Sequence, residues 1–222
     1  KKKAGRGGKK AKGKSRGGNK SANEIKAYCI NLNRSQERWE QVKRQTEENK
    51  IKIERIEAVD GWGQRSTLYL SSAEIAVRES HLKALRRVAM SGDDWGLIIE
   101  DDIFFVNDFK KRVKDLINNL EEWDGIWLGG YEKKKGEYYK EGITRIVSQL
   151  GAFGYIVKKD FAEILIGKIL GNENMAVDGV YAKYQHQYKC FRSVLIGHNP
   201  GVSTILNKYV DYKPLRQIDG NR

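Results

Sequence analysis

The run Gly96-Leu97-Ile98-Ile99 stops at three consecutive carboxylates, Glu100, Asp101 and Asp102. No polar residue alternates with the apolar ones, so the run predicts an interior parallel strand covered on both faces. The acids cannot follow it into a core. Carboxylates this close raise one another's pKa and oppose folding unless a cation offsets the repulsion. A divalent metal is the simplest such partner, and an oxygen-only pair suits a hard ion such as Mn²⁺ or Mg²⁺ holding a phosphate. Side chains alternate along an extended segment, so Glu100 and Asp102 are expected to point one way and Asp101 the other. In an open α/β sheet, ligands bind beyond the carboxyl ends of the strands, which is where this lip belongs. Taken alone, an acid triplet fits the start of a solvated loop equally well.

The chain before the lip reads as a βαβ unit, the usual opening of a nucleotide-binding sheet. Residues 25–32 form a strand, Ser35 is placed to cap a helix ending near Asn49, and residues 51–59 form a second strand before the Asp60-Gly61 turn. Arg34 and Arg38 lie four apart near the first strand's carboxyl end, a spacing that lets both face one anion. They are equally placed to pair with Glu37 or Glu40. Ser71-Ser72-Ala73-Glu74 has the form of a capping box. The helix it opens runs to about Met90, and Val77, His81, Ala84, Leu85 and Val88 share its buried face, which makes His81 a core residue by default.

After the lip, Phe109 to Leu120 carries an amphipathic helical pattern, and residues 125–130 form a short strand. Lys133-Lys134-Lys135-Gly136 is expected at a solvated hairpin tip. Strands over 143–148 and 153–157 flank Gln149-Leu150-Gly151-Ala152. A helix over 160–170, a helix opening at 175–180, a last strand over 189–196 and a Gly/Pro-rich loop over 197–205 complete the body. Cys29 and Cys190 both fall in strands and are expected to pack as small apolar residues.

Length and a 39% hydrophobic content support one globular domain. The expected division is a disordered basic tail over 1–22, a catalytic domain over 23–210 and an extension over 211–222. Residues 1–20 hold ten Lys or Arg and no acid, so of the net charge of +13 only +3 belongs to the rest. Such a tail has little to bury, and it fits a weak contact with nucleic acid or an anionic surface by charge alone or, equally well, a solubilising flexible leader. No run is long and apolar enough for a membrane span and no signal peptide is visible, which suits a cytoplasmic chain as well as one whose leader has been removed, and leaves the compartment unknown.

The order of these pieces resembles glycosyltransferase family 25, whose members include lipopolysaccharide and collagen sugar transferases. The likeness rests on Ile30 through Arg38, Ala58-Val59-Asp60-Gly61, Ala73 through His81, and Leu97 through Asp102. Gly151 to Tyr155, Val177-Asp178 and His198 through Ile205 look like the family's later blocks. The resemblance implies a GT-A type fold, an α/β Rossmann-like mixed sheet flanked by helices, with a nucleotide-sugar donor such as a UDP-sugar and a divalent metal. Glu100 and Asp102 would then approach the metal as a variant of that fold's acidic signature, with His198 as third ligand. Asp101, Arg34, Arg38, Asp60 and Gly151 would serve the donor, and Asp178 would be the base of an inverting transfer to a glycan, lipid-linked sugar or protein hydroxyl. Capping a helix is the structural alternative for Asp178. A degenerate transferase that binds nucleotide sugar or glycan without turnover, and a nucleic-acid-binding protein acting through its tail, are the rival readings.

Overall fold

The computed structural model describes residues 24–63, 65–198, 201–203 and 208–210. The expected basic tail, the C-terminal extension and Asn199, Pro200, Thr204 and Ile205 of the closing loop lie outside the described residues.

The βαβ unit forms as expected from β1 (Lys26–Asn31), α1 (Gln36–Glu48) and β2 (Lys52–Glu57), with β1 and β2 parallel. Ser35 occupies the position before α1, yet its hydroxyl makes no capping bond. Its carbonyl instead accepts the Trp39 N–H at 3.1 Å. After a 3₁₀ turn at Gly61–Gly63 comes α2 (Ser72–Ala89), opened by the full capping box. Ser71 Oγ accepts from the Glu74 N–H, and the Glu74 carboxylate accepts from the Ser71 N–H. This satisfies two donors that would otherwise be orphaned at the helix start.

The chain then returns to β3 (Trp95–Glu100) beside β1, and continues through β4 (Ile103–Phe105), α3 (Phe109–Asn119) and β5 (Gly125–Trp127). Four short strands follow, β6 (Tyr131–Lys134), β7 (Glu137–Lys140), β8 (Ile143–Arg145) and β9 (Ser148–Leu150). β10 (Gly154–Lys158), α4 (Lys159–Leu170), α5 (Val177–Tyr184), β11 (Cys190–Arg192), β12 (Ile196–His198), β13 (Gly201–Ser203) and β14 (Lys208–Val210) complete the described order. The main sheet runs β2-β1-β3-β10-β5-β11-β8-β7. This is the expected mixed α/β sheet flanked by helices.

Period-two alternation builds the two cores. Ala27, Cys29, Leu97 and Ile99 face Val42 of α1 and Phe109, Val113 and Leu116 of α3. Tyr28, Ile30 and Ile98 face Leu82, Leu85 and Val88 of α2, Leu165 of α4 and Val180 of α5. Leu97, Ile98 and Ile99 are wholly buried, each contributing about 1.5–3 kcal/mol. That burial anchors the strand whose last residue begins the acid lip.

Four expectations are corrected. β3 is parallel to β1 but antiparallel to β10, so it is interior without being wholly parallel. The lysine-rich segment is no hairpin tip, because β6 pairs with β9 while β7 pairs with β8, and residues 135–136 pass between two sheets. The single strand expected over 143–148 is divided between β8 and β9. The strand expected over 189–196 is likewise two, with β11 in the main sheet and β12 paired to β4. The break comes where Ser193 N–H donates to the Trp127 carbonyl, and Leu195 and Ile196 N–H both donate to the Leu128 carbonyl. Those bonds bend the backbone out of the sheet. Both cysteines are buried and free, as expected, and burial pushes their thiols well above the ordinary range. Among the described residues no helix is long and apolar enough to cross a membrane.

Candidate active site

Glu100 ends β3, where its N–H donates to the Phe153 carbonyl of the neighbouring chain segment at 2.9 Å. The Asp101-Asp102 turn leads into β4, and β4 pairs antiparallel with β12 so that His198 stands opposite Ile103. This pairing carries an imidazole from late in the chain to the lip. Gly197 permits it, since a Cβ there would lie 2.1 Å from the Phe104 ring. One donor atom from each of Glu100, Asp102 and His198 lies within 4.8 Å of the others.

Asp102 Oδ1 is shut off from solvent and has no hydrogen-bond partner among the described residues. His198 Nε2 lies 3.1 Å from it. A buried carboxylate oxygen left this way is costly, and a cation in the corner would satisfy it. Two carboxylates suit Mg²⁺ or Mn²⁺, and the imidazole nitrogen shifts the preference towards Mn²⁺. The three residues therefore fit a divalent metal.

Asp101 and Asp102 lie in a turn rather than an extended segment, so the expected alternation does not carry past Glu100, and Asp101 faces β1 and α1. Its Oδ2 accepts from Asn31 Nδ2 at 2.6 Å, and its Oδ1 lies 3.2 Å from an Arg38 nitrogen that also reaches Asp102 Oδ2 at 3.3 Å. Asn31 is itself held, donating to the Ser35 carbonyl at 3.0 Å and accepting from Arg55 Nε at 2.8 Å. Burial pushes the Asp101 carboxyl above its ordinary pKa, and neighbouring Asp102 adds to this, while Asn31 and Arg38 pull against it. Asp101 thus ties the lip to β1 and α1.

Arg34 lies in the turn before α1 rather than on the helix, so the helical spacing with Arg38 does not apply. Arg34 pairs with Asp60 and its guanidinium sits over the Trp62 ring, 4.9 Å from the centroid. The two arginines have separate carboxylate partners, and neither pairs with Glu37 or Glu40. Trp62 itself is 87% exposed.

Gly151 has φ +90°, a conformation strained for any residue with a Cβ, and a Cβ there would lie 3.0 Å from the Gly130 Cα. It packs against Phe153, whose ring meets the His198 ring edge-on at 5.4 Å. The missing side chain at Gly151 thus leaves room for the Phe153 ring that meets the imidazole. Asp178 sits half-buried in the first turn of α5, where Ala176 holds the N-cap position, so Asp178 does not cap the helix in that way. No hydrogen bond or ion pair links it to the lip among the described residues.

Several participants escaped the sequence reading. Asn31 lies within the Ile30 to Arg38 stretch but was given no role, Arg55 carries no motif, and the parts both play arise only when β1 and β2 align. His81 is buried as its helical spacing predicts, yet it also lies within hydrogen-bonding reach of Glu100, which spacing on one helix cannot reveal.

The model of the family described as "Glycosyltransferase family 25 (LPS biosynthesis protein)" matches residues 24–148. That span includes Arg34, Arg38, Asp60 and the acid lip, but not Gly151, Asp178 or His198. Human procollagen galactosyltransferase 2 is 26% identical over 168 residues, 63% of this chain and 27% of that protein. Procollagen galactosyltransferase 1 of Danio rerio is 25% identical over 168 residues, 63% of this chain and 28% of that protein. The matched region thus spans about a quarter of these relatives' length. Among solved structures, a glycosyltransferase involved in glycosylation of the major capsid of PBCV-1 is similar with a TM-score of 0.50 and 13% identity, covering 81% of this chain and 94% of that one. A putative glucose-1-phosphate thymidylyltransferase from Bacillus anthracis gives a TM-score of 0.50 with 9% identity, covering 78% and 89%. At these identities the structural likeness establishes the fold alone.

Proposed function

The chain belongs to glycosyltransferase family 25, and from that premise we propose that it transfers a hexose from a UDP-sugar to a hydroxyl group of a glycan, lipid-linked sugar or protein. The observation that carries this reading is the convergence of Glu100, Asp102 and His198 at the carboxyl end of β3. These three residues would hold Mn²⁺ or Mg²⁺, which would supply positive charge to offset the negative charge building on the departing diphosphate. The relatives' names make galactose the first sugar to test.

Each remaining step falls to side chains of this protein. Arg34, after parting from Asp60, and Arg38, at the lip, supply guanidinium donors for the donor's nucleotide half. Asp60, so released, accepts from the ribose or base. Gly151 would hold the turn that seats Phe153 beside His198 at the edge of the donor site. Asp178 takes the proton of the acceptor hydroxyl as its oxygen bonds to the anomeric carbon. The bond from that carbon to the phosphate oxygen breaks with its electron pair leaving on UDP, and attack from the opposite face inverts the configuration. Asp178 suits this role because, among the described residues, its carboxylate is engaged in neither a cap nor an ion pair.

The test is UDP release from a panel of UDP-sugars, with Mn²⁺ or with EDTA, by wild type and by Asp102→Ala. Release from one donor that needs both metal and Asp102 supports the proposal. No release from any donor, together with no metal-dependent UDP binding, overturns it.

A further inference from the structure

Three buried side chains lead from α5 to the metal corner. Tyr181 Oη lies 2.9 Å from Tyr155 Oη, Tyr155 Oη lies 3.1 Å from His81 Nδ1, and His81 Nε2 lies 3.4 Å from Glu100 Oε1. His81, Tyr155 and Tyr181 are all closed to solvent. The His81 ring stacks on Tyr155 with centroids 5.9 Å apart, and Tyr155 stacks on Trp127 at 5.5 Å. Packing therefore locks each ring.

Polar groups enter a core of this kind at a cost, and only when bonded. With His81 neutral, one proton arrangement satisfies every contact. A carboxylate only accepts, so the neutral His81 ring carries its proton on Nε2 and accepts at Nδ1. Tyr155 then donates to Nδ1, and Tyr181 donates to the Tyr155 oxygen. The opposite tautomer would aim the Nε2 lone pair at the carboxylate. A chain of donors all pointing at one carboxylate does more than fill space.

We propose that His81 is a positioning residue, which holds the Glu100 carboxylate in the orientation that meets Asp102 and His198, with Tyr155 and Tyr181 fixing its tautomer. This rests on the reading of Glu100 as a metal ligand. Carboxylates that bind metals are commonly steered by such outer hydrogen bonds, and removing one typically weakens metal binding about 10–100-fold.

The test is Mn²⁺ affinity, read from the paramagnetic resonance signal of free Mn²⁺, for wild type, His81→Leu, His81→Gln, Tyr155→Phe and Asp102→Ala. The melting temperature of each in EDTA is measured alongside. His81→Leu is expected to weaken Mn²⁺ binding about 10–100-fold. His81→Gln recovers most of that loss, because the amide donates through Nε2 and accepts through Oε1. Tyr155→Phe falls between them. If His81→Leu binds Mn²⁺ like wild type while Asp102→Ala does not, the positioning role is wrong and the ligand reading stands. Equal losses of affinity and melting temperature in the Leu and Gln variants would show that His81 only packs, and would overturn the role as well. If wild type binds no Mn²⁺, or Asp102→Ala binds it unchanged, the ligand reading fails and the positioning role fails with it.

Discussion

The two walls of the site balance their charges differently. On the wall built by β1, α1 and the turn after β2, the arginines are already paired: Arg34 with Asp60, and Arg38 with Asp101 and Asp102. On the wall built by β3, β4 and β12, Glu100, Asp102 and His198 crowd one corner, and one oxygen of Asp102, 3.1 Å from His198 Nε2, is buried with no hydrogen bond among the described residues. The first wall is complete without a ligand, whereas the second wants a cation. On the proposed function, a nucleotide sugar would open ion pairs on one side while a metal would fill a gap on the other. Substitutions on the two walls should have unlike effects.

The largest effect is expected on the unfilled wall. Asp102→Ala or Glu100→Gln should lower metal-dependent release of UDP by at least about 100-fold, the upper end of what an outer-shell change costs. Steady-state assays across a Mn²⁺ series check this, and unchanged turnover would move the metal elsewhere.

Metal should also stabilise the fold. At a hundredfold excess over its dissociation constant, Mn²⁺ should add about 2.7 kcal/mol to the wild type and raise its melting temperature by several degrees. In Asp102→Ala that rise should vanish. In Arg38→Gln the metal-free protein should melt lower and the rise should grow, because the guanidinium 3.3 Å from Asp102 no longer offsets the acids. A smaller rise in Arg38→Gln would mean that Arg38 assists the cation rather than standing in for it.

Next comes the backbone that delivers His198. Gly197→Val forces a side chain into the space of the Phe104 ring, an overpacking worth about 1–3 kcal/mol. Denaturant unfolding reads this loss, and adding Phe104→Ala should restore part of it. If the double variant is no more stable than the single one, another contact fixes β12.

The smallest effect belongs to the paired wall. Arg34 and Asp60 are both well exposed, so breaking their ion pair should change stability by only about 0–1 kcal/mol. Arg34→Ala should nevertheless weaken UDP binding, while Asp60→Ala, which frees Arg34, should weaken it less. Equal losses of UDP affinity in both would show that the pair acts as one unit.

The same contrast explains what could be read from sequence. The first βαβ unit, the capping box and the buried strand before the acids are local patterns, set by period and by residues a few positions apart. The turn at Asp101 and Asp102 was not legible, because an alternation read on from the strand takes no account of where the strand ends. The partner switch between β11 and β12 was not, because it depends on Leu128 accepting bonds from Leu195 and Ile196. Apolar runs of this length look alike whether they keep one partner or exchange it. The nested pairing of β6 with β9 around β7 and β8 was hidden similarly. His81 shows the limit most plainly, since its helix gave its burial and only the folded sheet gave its partners. The proximity of His198 to the lip came from resemblance alone, and its physical basis is the β4 to β12 pairing.

The most direct measurement is the anomalous diffraction signal of Mn²⁺ in crystals of the protein grown with Mn²⁺ and UDP. The account predicts one strong peak in coordinating contact with Glu100, Asp102 and His198 and with the UDP diphosphate. A peak elsewhere, or UDP bound with no metal between its phosphates and these three residues, would contradict it.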